Sequence, residues 1–187
     1  ARAFMNLLTE DKYDVALITN PDLPRDEFLQ EVNRQFSIEA PGRTKAQLWR
    51  ALTSRCSENL AAGKETVLIV DEAHCIRDNE VFEELCHVLN LQLNDRYLLS
   101  VILIGLPELR TTLAKCTALS QRTAFRVNLS FLSREDAAFY IEFRLKKAGA
   151  TRRIFTDDAI ALIQRETEGV PRNINNLCDL CLFEGWK

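Results

Sequence analysis

The segment VLIVDEAHC, residues 67–75, places four apolar residues directly before two adjacent carboxylates, Asp71 and Glu72. A continuous apolar run of this kind, rich in β-branched residues, is typical of a strand buried on both faces. Such strands belong to parallel sheets, in which ligands bind beyond the carboxyl ends of the strands. The segment therefore predicts an α/β fold with two acidic side chains at its ligand-binding edge.

The chain up to about residue 130 alternates predicted strands with predicted helices, which indicates a parallel sheet covered on both faces. The strand candidates are residues 14–20, 66–70, 98–105 and 125–129. The helix candidates are marked by apolar residues at helical spacing: Phe4, Leu7 and Leu8; Phe28, Leu29, Val32 and Phe36; Leu48, Leu52, Cys56 and Leu60; and Val81, Phe82, Leu85, Val88 and Leu89.

Only helices are predicted after residue 130. They begin near Ser133, Thr156 and Pro171, residue types that favour the first positions of a helix, and Gly169 closes the second of them. We therefore expect an α/β core over residues 1–130 and a helical appendage over residues 131–187.

The overall composition is that of an ordinary globular domain. The net charge of −3 gives no general attraction to nucleic acid or to acidic membranes. No apolar run approaches the roughly 18 residues that span a bilayer, and the first residues do not resemble a signal peptide. The six cysteines sit in a chain too long and too apolar for a disulfide-stapled scaffold, so we expect free thiols in a reducing cytoplasm.

The paired carboxylates predict phosphate chemistry. A carboxylate at Asp71 can hold hydrated Mg²⁺, which prefers oxygen ligands, and Glu72 can polarise a water for attack on a phosphate. Four hydrophobic residues followed by Asp-Glu form the Walker B pattern of nucleoside triphosphatases. The plainer alternative is a strand that runs into an acidic, solvated loop.

Several segments together resemble the ATPase domain of the general secretion pathway protein A family, within the AAA+ proteins. The similarity runs over most of the chain, and the order and spacing of the segments make it specific. The segments are VALITNPDL, VLIVDEAH, LIGLPELR, QRTAFRVNLSFLSREDAAFYIEFRLKKAG, FTDDAI and GVPRNINNLCD.

The resemblance implies an AAA+ type core with a helical lid, and a parent protein that hydrolyses ATP with Mg²⁺. By the same resemblance, that protein would form a homo-oligomer and act with a membrane-anchored partner protein. Together they would help to assemble the secretin pore of type II secretion, from the cytoplasmic side of the inner membrane. Nucleic acid is not a favoured partner.

The resemblance also assigns roles to three arginines. Arg122 or Arg126 would reach the nucleotide of a neighbouring subunit, with Arg122 preferred, and Arg172 would contact nucleotide from the lid. A cation in the first turn of a helix opposes the helix dipole, so helix propensity does not explain Arg172. The alternatives are surface ion pairs for the first two and a lid-to-core salt bridge for Arg172.

The sequence departs from the family pattern in two places. It contains no P-loop, G-x-x-x-x-G-K-[ST], and the segment AAGKET has no strand before it and no upstream glycine at the right spacing. We therefore expect a chain that lacks the first strand and the phosphate loop, and that hydrolyses ATP poorly by itself. Leu106 occupies the first-sensor position, where these proteins usually carry a polar side chain.

Two other readings of the sequence stay open: a DNA-binding AAA+ regulator, and a catalytically dead interaction module, which the absence of a P-loop would support. A DNA-binding AAA+ regulator of the transposition or replication-initiator type shares the sensor and lid motifs, although such proteins usually add a basic surface.

The C-x-x-C of Cys178 and Cys181 falls on the apolar stripe of a predicted helix, which favours core packing of both thiols. The histidines His74 and His87 lie beside cysteines, but their spacing fits no standard zinc module.

Overall fold

The structure, a computed structural model, describes residues 2–39 and 44–186 and divides the chain into two compact units, Ala1–Phe125 and Arg126–Lys187. The strands are β1 (Tyr13–Ile18), β2 (Glu65–Val70), β3 (Gln92–Leu93), β4 (Arg96–Tyr97) and β5 (Leu99–Leu103). The helices are α1 (Arg2–Met5), α2 (Arg25–Gln35), α3 (Lys45–Ala61), α4 (Asn79–Leu89), α5 (Glu108–Lys115), α6 (Thr117–Arg122), α7 (Arg134–Lys147), α8 (Asp157–Thr167) and α9 (Pro171–Trp186).

A parallel sheet with the order β1–β2–β5 lies at the centre of the first unit, which confirms the predicted α/β fold. The central strand β2 pairs with β1 from Tyr13↔Glu65 to Ile18↔Val70, and its last five residues are buried. This burial on both faces explains why the β2 sequence is continuously apolar rather than alternating.

The helices α2, α3 and α4 bury most of the apolar residues that were predicted from helical spacing, and Leu60 and Leu89 are half-buried. Phe28, Leu29 and Val32 of α2 are buried, as are Leu48, Leu52 and Cys56 of α3. A capping box formed by Thr44 and Gln47 begins α3, since each side chain accepts a hydrogen bond from the backbone N–H of the other. The predicted chain break at Pro41-Gly42 lies outside the described residues.

A fully buried carboxylate, Glu84 of α4, joins these three helices. Its Oε2 accepts hydrogen bonds from Arg25 Nε at 2.8 Å and Lys45 Nζ at 2.7 Å, and its Oε1 accepts one from Trp49 Nε1 at 2.9 Å. Burial tends to raise the pKa of Glu84, but the hydrogen bonds from Lys45 and Arg25 outweigh it and hold the pKa below its ordinary value.

Two predictions of local structure were wrong. The helix marked by Phe4, Leu7 and Leu8 was expected to be longer than it is, since α1 ends at Met5 and Leu7 is exposed. Residues 125–129 were expected to form a strand, yet they have no regular structure, and Phe125, Val127 and Leu129 are exposed. A strand needs a neighbour for its backbone groups, and within the described residues the strands of the sheet pair with one another and not with this segment.

The second unit contains α7, α8 and α9 around a small core of its own. Ser133 caps α7 and Thr156 caps α8, each through its side-chain oxygen, as their residue types predicted. Gly169, with φ of 74°, passes so close to Leu132 that a Cβ would lie 2.2 Å from the Leu132 carbonyl oxygen. Only glycine can therefore occupy this turn.

The two thiols of the C-x-x-C segment differ in burial. Cys178 is buried in the core of the second unit, as expected, but Cys181 is exposed, so its predicted core position was wrong. The stripe of buried residues on α9 is narrower than the sequence suggests, and Ile174 and Cys178 are its buried members.

Within the described residues, no helix combines the length and hydropathy needed to span a membrane.

Candidate functional site

Asp71 lies where the three strands of the sheet end together. Its backbone N–H donates a hydrogen bond to the Ile18 carbonyl at 2.8 Å, and Ile104 N–H donates to the Val70 carbonyl at 2.9 Å. These bonds continue the strand pairing by one residue on each side of β2, so Asp71 stands at the carboxyl edge of the sheet. This is the edge at which parallel sheets bind ligands.

Glu72 turns the chain sharply out of the sheet. Its φ of 53° is in the left-handed region, which is uncommon for a residue with a side chain. Its side chain is 59% exposed, and its backbone N–H donates a hydrogen bond to Asp71 Oδ1 at 3.1 Å. The turn therefore presents the Glu72 carboxylate to solvent beside Asp71, and strained backbone of this kind is found disproportionately at functional sites.

His74 connects this turn to the segment that follows β5. Its Nδ1 lies 3.5 Å from Glu72 Oε2 and accepts a hydrogen bond from Leu106 N–H at 3.3 Å. Ala73 N–H also donates to the Ile104 carbonyl at 2.8 Å. A Cβ on Gly105 would lie 3.2 Å from His74 Nδ1, so the glycine leaves room for the imidazole. The acidic turn and the predicted first-sensor segment are thus held against each other.

The three predicted arginines lie in different places. Arg122 ends α6, where it donates hydrogen bonds to Asn90 Oδ1 at 3.2 Å and to the Ala118 carbonyl at 3.1 Å, rather than to either carboxylate of the turn. Arg126 is exposed in the irregular stretch 123–133, and Arg172 is exposed in the first turn of α9. Asp71, Glu72 and Arg122 belong to the first unit, and Arg126 and Arg172 to the second.

The Asp71 carboxylate suits a magnesium ion. One of its oxygens, Oδ1, accepts the hydrogen bond from Glu72 N–H, which leaves Oδ2 for a ligand at the open edge of the sheet. Mg²⁺ binds few protein carboxylates and keeps several waters, and such a site needs no closed cage of protein ligands. The sequence contains no P-loop, so it lacks the backbone N–H groups and the lysine with which such a loop binds the phosphates of a nucleotide.

Sequence reasoning did not find the cluster formed by Glu72, His74 and Cys75. One potential ligand atom from each of the three lies within 4.8 Å of the other two. Standard zinc modules use two separated pairs of ligands, so a search for that spacing passes over three ligands on one turn. The sequence Glu-x-His-Cys directly after a buried strand was the available signal.

Comparisons with known proteins give consistent results. The profile of a family described as an AAA domain matches residues 1–113. General secretion pathway protein A of Aeromonas hydrophila is 36% identical over 173 residues, which is 91% of this chain and 31% of that protein. The chain therefore spans about a third of the length of this curated relative.

Among solved structures, the ORC2 protein of Aeropyrum pernix in its ADPNP-ADP complexes superimposes with a TM-score of 0.64 at 16% identity. Its ADP form gives a TM-score of 0.62 at 15% identity. Each match covers 98% of this chain and 51% of the other. At these identities the likeness concerns the fold alone.

Proposed function

Because the chain belongs to the AAA domain family of ATPases, we propose that it couples ATP binding and hydrolysis to the assembly or function of a type II secretion machinery. The observation that carries the proposal is the Asp71–Glu72 pair at the carboxyl end of the central strand. The name of the relative from Aeromonas hydrophila supports the secretion role.

In this proposal the two carboxylates have separate tasks. Asp71 holds the magnesium ion through its free oxygen, because it stands at the edge of the sheet. Glu72 accepts a proton from the attacking water, because its turn carries the carboxylate away from the strand and into solvent. His74 keeps the turn against the segment after β5, because its Nδ1 accepts a hydrogen bond from the Leu106 N–H.

The arginines complete the proposed site from other parts of the assembly. Arg122 acts on the nucleotide of a neighbouring copy, which agrees with its hydrogen bonds to Asn90 and Ala118 rather than to its own acidic turn. Arg126 is the second choice for this task, and Arg172 contacts nucleotide from the helical lid. A site that needs a neighbour's arginine implies a homo-oligomer as the active form.

Substitution of Glu72 by Gln in the full-length protein tests the assignment. Loss of the proton acceptor should lower the turnover number by about a hundredfold or more, while Mg²⁺-nucleotide affinity stays near that of the parent. Glu83→Gln is the matched control, because Glu83 is an exposed glutamate on α4 and not part of the turn at residues 71–75. Hydrolysis by Glu72→Gln at the parental rate would show that Glu72 is not the base.

The absence of a P-loop sequence leads to a prediction about nucleotide binding by residues 1–187 in isolation. A phosphate loop supplies the backbone N–H groups and the lysine that bind the nucleotide phosphates, so residues 1–187 should bind Mg²⁺-ATP weakly or not at all. Titration calorimetry measures this directly, and micromolar affinity would contradict it.

The secretion role needs a cellular test. In a strain that lacks the full-length protein, the parental gene should restore export of type II substrates and assembled secretin, and the Glu72→Gln gene should restore neither. Full restoration by the gene that carries Glu72→Gln would show that secretion does not require ATP hydrolysis by this protein.

A DNA-binding regulator is the second candidate, and one local feature favours it. Residues 144–153 contain five basic residues and no acidic one: Arg144, Lys146, Lys147, Arg152 and Arg153. Arg153 is already paired with Glu142 and Asp157, which lowers the charge available to phosphates. Binding to a labelled duplex that weakens steeply with added salt would favour this candidate, and its absence at low salt would exclude it.

A further inference from the structure

The turn after β2 offers a second kind of metal site, different from the magnesium site at Asp71. We propose that Glu72, His74 and Cys75 bind a transition-metal dication of the Zn²⁺ or Co²⁺ class. Potential ligand atoms of these three residues lie within 4.8 Å of one another, and theirs is the one such cluster found in the part of the chain that the structure describes.

The distance between the imidazole and the thiol already matches a tetrahedral site. His74 Nε2 and Cys75 Sγ are 3.6 Å apart. A zinc ion about 2.0–2.1 Å from nitrogen and about 2.3 Å from sulfur, with a tetrahedral angle between them, requires a separation of roughly 3.6 Å. The separation of these two ligand atoms therefore already fits a shared zinc ion.

The third ligand, Glu72, is near and free to move. Its Oε2 lies 3.5 Å from His74 Nδ1, and its side chain is 59% exposed, so rotation about its side-chain bonds can bring an oxygen to the metal. The exposure of the turn leaves the fourth position to water. Three protein ligands and one water are a common arrangement around zinc.

Metal binding changes the protonation of two groups. In the metal-free chain Leu106 N–H donates to His74 Nδ1, which places the imidazole proton of neutral His74 on Nε2. The metal takes Nε2, so this proton moves to Nδ1, and the Cys75 thiol releases its proton to solvent as the metal–sulfur bond forms. The Leu106 amide then loses its acceptor, which makes its NMR signal a specific reporter of binding.

The ligand types determine which ions bind. Thiolate and imidazole favour zinc and other transition metals, whereas Mg²⁺ prefers oxygen ligands alone. The two sites therefore differ in selectivity although they share one turn: hard Mg²⁺ at Asp71, and the softer ion at Glu72, His74 and Cys75.

Titration of this chain with Co²⁺, under a phosphine reductant and without nucleotide, tests the proposal. We expect a thiolate-to-cobalt charge-transfer band that Cys75→Ser removes. His74→Asn and Glu72→Gln should each weaken Co²⁺ binding at least about tenfold. Cys181→Ser is the matched control because Cys181 is an exposed cysteine in the second unit, and it should leave the band unchanged.

Three results would overturn the site: no charge-transfer band in the unsubstituted chain, a band that survives Cys75→Ser, or a Co²⁺ affinity unaltered by His74→Asn. Circular dichroism identifies any variant that fails to fold. In that case the NMR spectrum of the unsubstituted chain provides the test. Co²⁺ or Zn²⁺ must shift the Leu106 amide signal if His74 is a ligand, and a signal that does not shift would reject the site.

A regulatory consequence rests on the proposed function. A metal that holds the Glu72 carboxylate prevents it from accepting a proton, so Zn²⁺ should inhibit ATP hydrolysis by the full-length protein and a chelator should restore it. Each variant is compared with its own metal-free rate, and zinc inhibition should disappear in Cys75→Ser. Because the Co²⁺ titration contains no nucleotide, its outcome does not depend on whether the chain takes part in ATP hydrolysis.

Discussion

The buried carboxylate of Glu84 holds three helices together, and its replacement by glutamine should weaken the first unit substantially. Glutamine keeps an oxygen for the Trp49 indole, but its amide NH₂ takes the place of Oε2 and faces the donors of Arg25 and Lys45. Two charge-assisted hydrogen bonds are lost, each worth about 1.5–3 kcal/mol before solvent screening of the partly exposed Lys45. The expected loss of unfolding free energy is about 2–4 kcal/mol.

The assay is urea unfolding followed by the fluorescence of Trp49. The other tryptophan, Trp186, lies in the second unit, so a Trp186→Phe background confines the signal to the first unit. Glu83→Gln is the control on the same helix, and because Glu83 is exposed its effect should stay within about 0.5 kcal/mol. A Glu84→Gln chain as stable as the Glu83→Gln chain would refute the reasoning.

The stabilisation by Glu84 should also depend on pH in a defined direction. The folded chain holds the pKa of Glu84 below the ordinary glutamate value of 4.5, because the bonds from Lys45 and Arg25 outweigh the effect of burial. The stabilisation is therefore complete above the unfolded pKa and is lost as the pH falls through the lower folded value. The difference between the parent and Glu84→Gln should shrink below about pH 4.5.

The remaining predictions concern thiol reactivity and helix capping. Burial raises the pKa of Cys56 and of Cys178 to about 11, so iodoacetamide at pH 8 should label the exposed Cys75 and Cys181 and spare these two until the chain unfolds. Mass spectrometry of the peptides checks this, and equal labelling of Cys56 and Cys75 in the folded chain would contradict it. Thr156→Ala should lower the stability of the second unit by about 1 kcal/mol, whereas Thr156→Ser should keep it, because the capping oxygen is lost only in the former. Thermal unfolding of the two variants measures the difference, and equal stabilities would show that the cap contributes nothing.

Most of the fold could be predicted from the sequence, because periodicity records which face of an element is buried. The runs at residues 14–20, 66–70 and 98–105 contain the strands β1, β2 and β5. The continuous apolar sequence of β2 matches its burial on both faces, whereas β1 and β5 on either side of it are only partly buried. Residues 125–129 alternate apolar and polar residues, which also suits a strand, but no strand pairs with them within the described residues. A sequence pattern does not record whether a pairing partner is present. The hairpin β3–β4 was missed because it turns through Asn94 and Asp95, both at positive φ, rather than through a familiar glycine pair.

The position of the candidate site could be predicted from the sequence, but the contacts between its residues could not. Asp71 and Glu72 had to stand at the sheet edge once β2 was identified, because parallel strands end on one side. The bond between His74 and Leu106 depends on the path of two turns 32 residues apart, which no local pattern specifies. Glu84 did leave a signal, since it lies on the same helix face as Val81 and Val88, where a lone charge requires buried partners.

Under the proposed role of Glu72 as the proton acceptor, its left-handed backbone makes selection for stability and selection for turnover favour different residues at this position. Glycine at residue 72 would adopt φ of 53° without steric cost and relieve about 1 kcal/mol of strain. It would also delete the carboxylate from the edge of the sheet. A library screened for heat resistance alone should thus accumulate glycine or asparagine here, whereas a library screened for turnover should retain glutamate and tolerate the less stable turn.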